Sequence, residues 1–271
     1  MSLTSVLRSP GFRARFAQEF EKPKLSLHSI PLAPPICANP TLVGTAYDYL
    51  LRFHLQRRYD FVRSSIWIAE LALRRVHSLH HRVIAYRMFA SAISDYQSFM
   101  ITGKHNSSLL RSVLKLAQLD FVYRSQDIDD NFGKISQSDV RDLKNLLKVT
   151  DLRLFKPKRY AVINPTFGDA SHLVGGADAD LLIDHRLIEI KTTKDATVSR
   201  DTFNQLIGYY ILASIGGVDQ LWHKVRITEL GVYFSRYGQI VSFKTKDLMP
   251  KAKMAKFIRQ FKRSFVRSDL F

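Results

Sequence analysis

The sequence predicts an α/β fold, a mixed central sheet preceded by a mainly helical region, and two observations carry that expectation. Apolar residues recur at helical spacing from about Thr41 to residue 149, and near Lys158 the pattern changes to the alternation of strands. A single helical stretch, residues 199–217, then interrupts the strands, as expected where a helix covers a sheet. A hydrophobic fraction of 46% in 271 residues is enough to build a core of that size.

Residues 1–40 are basic and then rich in proline. Pro23, Pro31, Pro34, Pro35 and Pro40 interrupt regular structure, so an extended arm is expected there. In the helical region, residues 41–157, Val43, Ala46, Tyr47, Leu50 and Leu51 make the first buried stripe. A second helix is expected from Ser64 to His80 on Ile66, Ala69, Leu73 and Val76. Two more are expected over 82–101 and 107–123, and a shorter one over 138–149 capped by Ser136 or Ser138.

In the next unit, 158–250, KRYAVINPTF, GADADLLI and LIEIKTT read as strands, the last two joined by a hairpin at Asp184-His185-Arg186. The helix capped by Ser199 ends at Gly216-Gly217, and ELGVYFSR and QIVSFKT flank a Tyr237-Gly238 turn. The tail, 251–271, is a basic amphipathic helix with Met254, Phe257, Ile258, Phe261 and Phe265 on one side and Asp269 as its one acid.

Forty-one Lys and Arg against 24 Asp and Glu leave a net charge of +17, which favours a polyanionic partner. The lone Cys37 excludes an internal disulfide and a cysteine-rich zinc site. Neither a signal-peptide core nor a membrane-spanning run is apparent, so a cytoplasmic location is expected. His77, His80 and His81 share a helical face but lack the companions of a transition-metal site. Asp127, Asp129 and Asp130 lack the glycine and distal Glu of a calcium loop. No phosphate-cradling Walker loop is present.

The segment from Gly175 to Thr193 concentrates the chemistry. Alternation along a strand puts Glu189 and Lys191 on one face. A hairpin turning at His185-Arg186 would set Asp180 opposite Lys191, with Asp178 on the same face and Leu181, Ile183, Ile188 and Ile190 on the other. A slip of one residue would reverse the partner strand. Clustered carboxylates repel unless a cation sits between them, and oxygen ligation suits Mg²⁺ or Mn²⁺.

These residues resemble the PD-(D/E)XK nuclease superfamily, in particular its RecB-like branch. Gly176-Ala-Asp-Ala-Asp180 followed by Ile188-Glu-Ile-Lys-Thr192 is similar to the family's metal-binding Asp and its ExK strand. Asn204-Gln-Leu-Ile-Gly-Tyr-Tyr210 is similar to the helix that follows, and Leu230-Gly-Val-Tyr-Phe-Ser-Arg-Tyr-Gly238 to the closing hairpin. The resemblance covers roughly 160–245 and implies a restriction-endonuclease-like core. It implies metal ligation by Asp180, Glu189 and the Ile190 carbonyl, with Lys191 as catalytic lysine and Gln205 and Tyr209 at the active site or the substrate backbone. Asp178 competes with Asp180, and Glu70, expected beside a buried helix face, is a further acid; Asp48 is a weaker one. Lys194, Arg200, Lys251, Lys253 and Arg259 are candidate nucleic-acid contacts. The implied activity is Mg²⁺-dependent hydrolysis of DNA, in DNA processing or in defence against foreign DNA. A non-catalytic nucleic-acid-binding module and an RNA nuclease are the alternatives. A homodimer or a larger complex is a further expectation.

Overall fold

The computed structural model describes residues 2–24, 26–27, 30–60, 62–64, 67–221 and 225–266. Ten α-helices and six strands are found among them: α1 (Leu3–Arg8), α2 (Pro10–Glu19), α3 (Pro40–Arg58), β1 (Val62–Ser64), α4 (Ile68–Ala72), α5 (Leu79–Thr102), α6 (Ser107–Ser125), α7 (Gln137–Val149), β2 (Ala161–Ile163), α8 (Asp169–Leu173), β3 (Leu181–Ile183), β4 (Arg186–Lys191), α9 (Arg200–Gly216), β5 (Glu229–Phe234), β6 (Gln239–Lys244) and α10 (Lys251–Val266). The fold is α/β. Its sheet runs β1 to β6 in sequence order and is mixed: β1–β2 and β4–β5 are parallel, the other pairs antiparallel.

Strand alternation divides the apolar residues between two layers of helix. Ala161, Ile163, Leu181, Ile183, Ile188, Ile190 and Tyr233 join the buried residues of α3 to α7. Val162, Leu182, Leu187, Leu230, Val232 and Phe234 join α1, α2, α9 and α10 on the opposite face. β4, buried at all four of its inner positions, is a central strand.

Several expectations are corrected. The extended arm expected over residues 1–40 is corrected at Leu3–Arg8 and Pro10–Glu19, which are helical and bury Leu3, Val6, Leu7 and Phe16. Pro10 occupies the first turn of α2, where its missing N–H costs nothing. Phe16 and Phe20 then meet Phe257 edge-on, at ring-centroid distances of 5.5 and 4.9 Å, so the two ends of the chain share one core. Only the later prolines lie in extended chain. The helix expected over 64–80 is instead β1, the short α4, and turns leading to Leu79; Ile66 lies outside the described residues, as does Asp269. Other boundaries hold closely: Ser136 caps α7 and Ser199 caps α9. Among the described residues no helix is long and apolar enough to cross a membrane.

A buried ion pair ties the Pro-rich segment down. The Arg236 guanidinium, 1% exposed, reaches both Asp142 oxygens at 3.1 and 2.8 Å and donates to the Ala33 carbonyl at 3.0 Å. Removing one partner strands the other charge, so Arg236→Met should destabilise the fold by about 3–5 kcal/mol, read from a denaturant midpoint with unchanged slope.

His54 on α3 has an unpartnered Nε2. Burial, then the His105 and Arg57 charges, lowers its pKa from 6.5 to about 4. The unfolded chain therefore binds the extra proton between those values, and stability falls as pH drops from about 6.5 to 4. The loss should total about 3 kcal/mol, and His54→Phe should flatten that part of the stability profile.

Candidate active site at one end of the sheet

The candidate site forms where β3 begins and β4 ends. The hairpin is tighter than expected: Leu182 pairs with Leu187 and Ile183 with Arg186, leaving Asp184 and His185 as the turn. Asp184 takes a left-handed backbone (φ 52°), and its carboxylate accepts the N–H groups of Lys158, Arg159 and Tyr160 at 2.8, 2.8 and 3.2 Å. Its position is thereby structural. Relative to the expected register the pairing moves by two residues, which brings Glu189, not Lys191, opposite Asp180. Because the move is even, Asp180, Glu189 and Lys191 keep their common face.

Asp180 replaces a rung of the ladder. A continued β3 would bond the Ile190 N–H from Ala179; instead Asp180 Oδ2 accepts it at 2.6 Å. The Ile190 carbonyl leaves β4 along the same edge as its N–H, toward the aspartates. Glu189 is 4% exposed. Its Oε1 accepts from Lys191 Nζ at 2.7 Å, while Oε2 is buried with no hydrogen-bond partner. Burial and the neighbouring Asp180 push the Glu189 carboxyl up to about 7, Asp178 adding to the rise and Lys191 opposing it. Burial also raises Asp178, with Asp180 and Asp120 adding to the rise and Arg124 and Arg52 opposing it. Burial disfavours the Lys191 ammonium, but Glu189 and Asp180 outweigh it and raise its pKa.

The helices close the site from both sides. On α9, Gln205 Nε2 donates to the Tyr209 hydroxyl at 2.7 Å. Tyr209 is 4% exposed, and burial together with Glu189, Asp178 and Asp180 keeps its hydroxyl protonated. From the other layer come side chains that the sequence did not single out. Arg52 on α3 is paired with Asp48, and both Asp180 and Asp178 favour its charge against the cost of burial. On α6, Asp120 is buried, accepts from Arg124 Nε at 2.7 Å and from the Tyr49 hydroxyl at 3.2 Å. Arg124, its side chain exposed, is held charged by Asp120 and Asp178. The one available signal was a polar pair, Asp120 and Arg124, spaced four apart on a helix whose Leu116, Ala117 and Leu119 are buried.

Glu70 corrects a further expectation. It is exposed on α4, whose buried residues are Ala69 and Ala72, and the upstream acids that meet the site's cations are Asp48, on Arg52, and Asp120, on Arg124. Lys194, Lys251, Lys253 and Arg259 are exposed, Lys253 pairing with Glu19 at 3.0 Å. Arg200 is half-buried and committed to the Phe20 carbonyl at 2.9 Å and to the face of Phe203.

The donor set suits a hard divalent cation. Like-charged carboxylates crowd together, and one buried Glu189 oxygen has no partner. Among the described residues no group of three or more His, Cys, Asp or Glu side chains is placed to hold a metal ion. Two carboxylates and a carbonyl are the donors that could hold Mg²⁺, an ion that keeps several of its waters. Comparison with protein-family models, curated proteins and solved structures returns no match. The functional reading therefore rests on this geometry and on the sequence motifs.

If a cation occupies this position, Mg²⁺ or Mn²⁺ at about ten times its dissociation constant should stabilise the fold by about 1.4 kcal/mol. The melting temperature should rise by roughly 3 °C in the wild type and not in Glu189→Ala.

Proposed function

We propose that the chain is a metal-dependent nuclease of the PD-(D/E)XK type, acting on DNA, with its centre at Asp180, Glu189 and Lys191. The observation that carries this reading is the unpartnered, buried Oε2 of Glu189, on the same face as Asp180 and two residues from Lys191. A carboxylate is withdrawn from water at such cost where it has a cation to meet. The mixed six-stranded sheet with helices on both faces is compatible with the restriction-endonuclease-like core that the motifs imply.

Asp180, Glu189 and the Ile190 carbonyl would hold Mg²⁺ or Mn²⁺, with Asp178 as the alternative aspartate. The ion would supply polarisation of a phosphate oxygen and offset the charge that builds up during in-line displacement. Lys191, an ammonium, is a donor: it orients the attacking water or steadies the negative transition state. The Ile190 N–H fixes Asp180 so that its second oxygen remains for the ion. Gln205 keeps the Tyr209 hydroxyl at the edge of the cluster. Arg52 and Arg124 set positive charge against Asp178 from the far layer. Exposed Lys194 and the basic face of α10, with Lys251 and Arg259, would meet backbone phosphates outside the centre.

A second reading, a non-catalytic nucleic-acid-binding module, is favoured by the Glu189–Lys191 pair, which neutralises one carboxylate without a metal. Labelled single- and double-stranded DNA and matched RNA, incubated with Mg²⁺, Mn²⁺ or EDTA, discriminate the two. Hydrolysis of DNA that needs metal and falls by roughly a hundredfold or more in Glu189→Ala and Lys191→Ala supports the nuclease. Binding without cleavage by the wild type supports the module, and preferential cutting of RNA reassigns the substrate.

A further inference from the structure

The opposite end of the sheet carries a second concave site. A cavity of about 700 Å³ opens between the chain before β2, the Asp184-His185 turn and the chain leading into β5. That volume lies within the range of small-ligand pockets. It is separated from the carboxylate centre by the length of β4: Arg186 is at the cavity and Lys191 at the centre, about 16 Å apart along a strand.

The lining is asymmetric in charge. Lys156, Lys158, Arg159 and Arg226 face the cavity, and among the described residues their side chains make no hydrogen bond or ion pair. The acids nearby are already committed. Asp184 is held by three backbone N–H groups, and Glu229 by Ser242 at 2.5 Å and Lys244 at 3.1 Å. Arg186 is likewise spent on the Leu154 carbonyl at 2.9 Å. Four cations from two chain segments thus face a shared concavity with no ion pair of their own, and with Arg186 the lining sets five cations against the carboxylates of Asp184 and Glu229. Ile183, Tyr160 and Val225 provide an apolar wall beside them.

We propose that this cavity binds a compact ligand bearing two or more linked phosphates, of the pyrophosphate or nucleoside-diphosphate class. Linked phosphates place several negative charges within one small body, which a single carboxylate or phosphate does not. Lys and Arg together supply point charges and forked donors for their oxygens. The apolar wall gives a nucleoside a surface to lie against, so a nucleoside diphosphate should bind more tightly than pyrophosphate alone. The site is independent of the nuclease reading and shares no residue with it.

Isothermal titration of the full chain with pyrophosphate, with ADP, and with a short 5′-phosphorylated oligonucleotide tests the assignment. One-to-one binding of pyrophosphate and ADP is expected. Affinity should weaken roughly tenfold or more in Lys158→Ser/Arg159→Ser, and separately in Arg226→Ser, each melting like the wild type. Glu189→Ala should bind as the wild type does, which separates this cavity from the carboxylate centre. Equal affinity in the charge-removed variants, or no binding of either small ligand, overturns the proposal. Binding of the oligonucleotide alone, weakened by Arg226→Ser, overturns it in favour of a nucleic-acid backbone contact.

Discussion

Glu189 is the constraint around which the rest is arranged. It sits on a central strand, out of water, with one oxygen paired to Lys191 and the other to nothing. Two aspartates stand close enough to push its carboxyl upward. A fold keeps such a group only if cations approach from several directions, because an uncompensated buried carboxylate costs several kcal/mol. Lys191 approaches along the same strand. Arg52 and Arg124 face the aspartates from α3 and α6, two helices packed on the opposite side of the sheet from α9. The charge cluster therefore lies at the rim where both layers meet.

The two layers differ in how they are assembled. One is a contiguous helical region, α3 to α7, in which α6 packs against α3, α4 and α5. The other is built from distant pieces: α1 and α2 from the start of the chain, α9 from the middle and α10 from the end. Phe16 and Phe20 against Phe257 hold the ends together, and Leu3 and Leu7 fit over Gly208 on α9, within 3.1 Å of where a side chain would begin. This packing explains why α9 has a glycine one residue before Tyr209. It also makes the N-terminal segment part of the wall behind the candidate site.

Much of the site was legible in the sequence because strand parity is robust. The hairpin register differs from the expected one by two residues, yet Asp180, Glu189 and Lys191 stay on one face; only an odd shift would have separated them. The turn was legible at Asp184-His185-Arg186, but its tightness was not, because nothing local shows that the Asp184 carboxylate serves three backbone N–H groups. Gln205 and Tyr209 came from the resemblance of residues 204–210 to the family's helix, and a spacing of four puts them on one face. Asp120, Arg52 and Arg124 were not legible, since nothing local marks a residue more than fifty positions away as a neighbour of Asp178. Glu70 was misplaced because the pattern from Ile66 to Val76 suits one long helix, whereas the chain there makes a three-residue strand paired with β2 and a helix of five residues. The prolines misled for residues 1–20, where a proline in the first turn begins a helix as readily as it breaks one.

The central claim is that the carboxylates are arranged for a cation, and anomalous diffraction from crystals equilibrated with Mn²⁺ tests it most directly. A manganese peak bounded by Glu189 Oε2, the free oxygen of Asp180 or Asp178, and the Ile190 carbonyl is expected. Full-strength manganese elsewhere, with Glu189 Oε2 still unpartnered and the Lys191 pair unchanged, would contradict it.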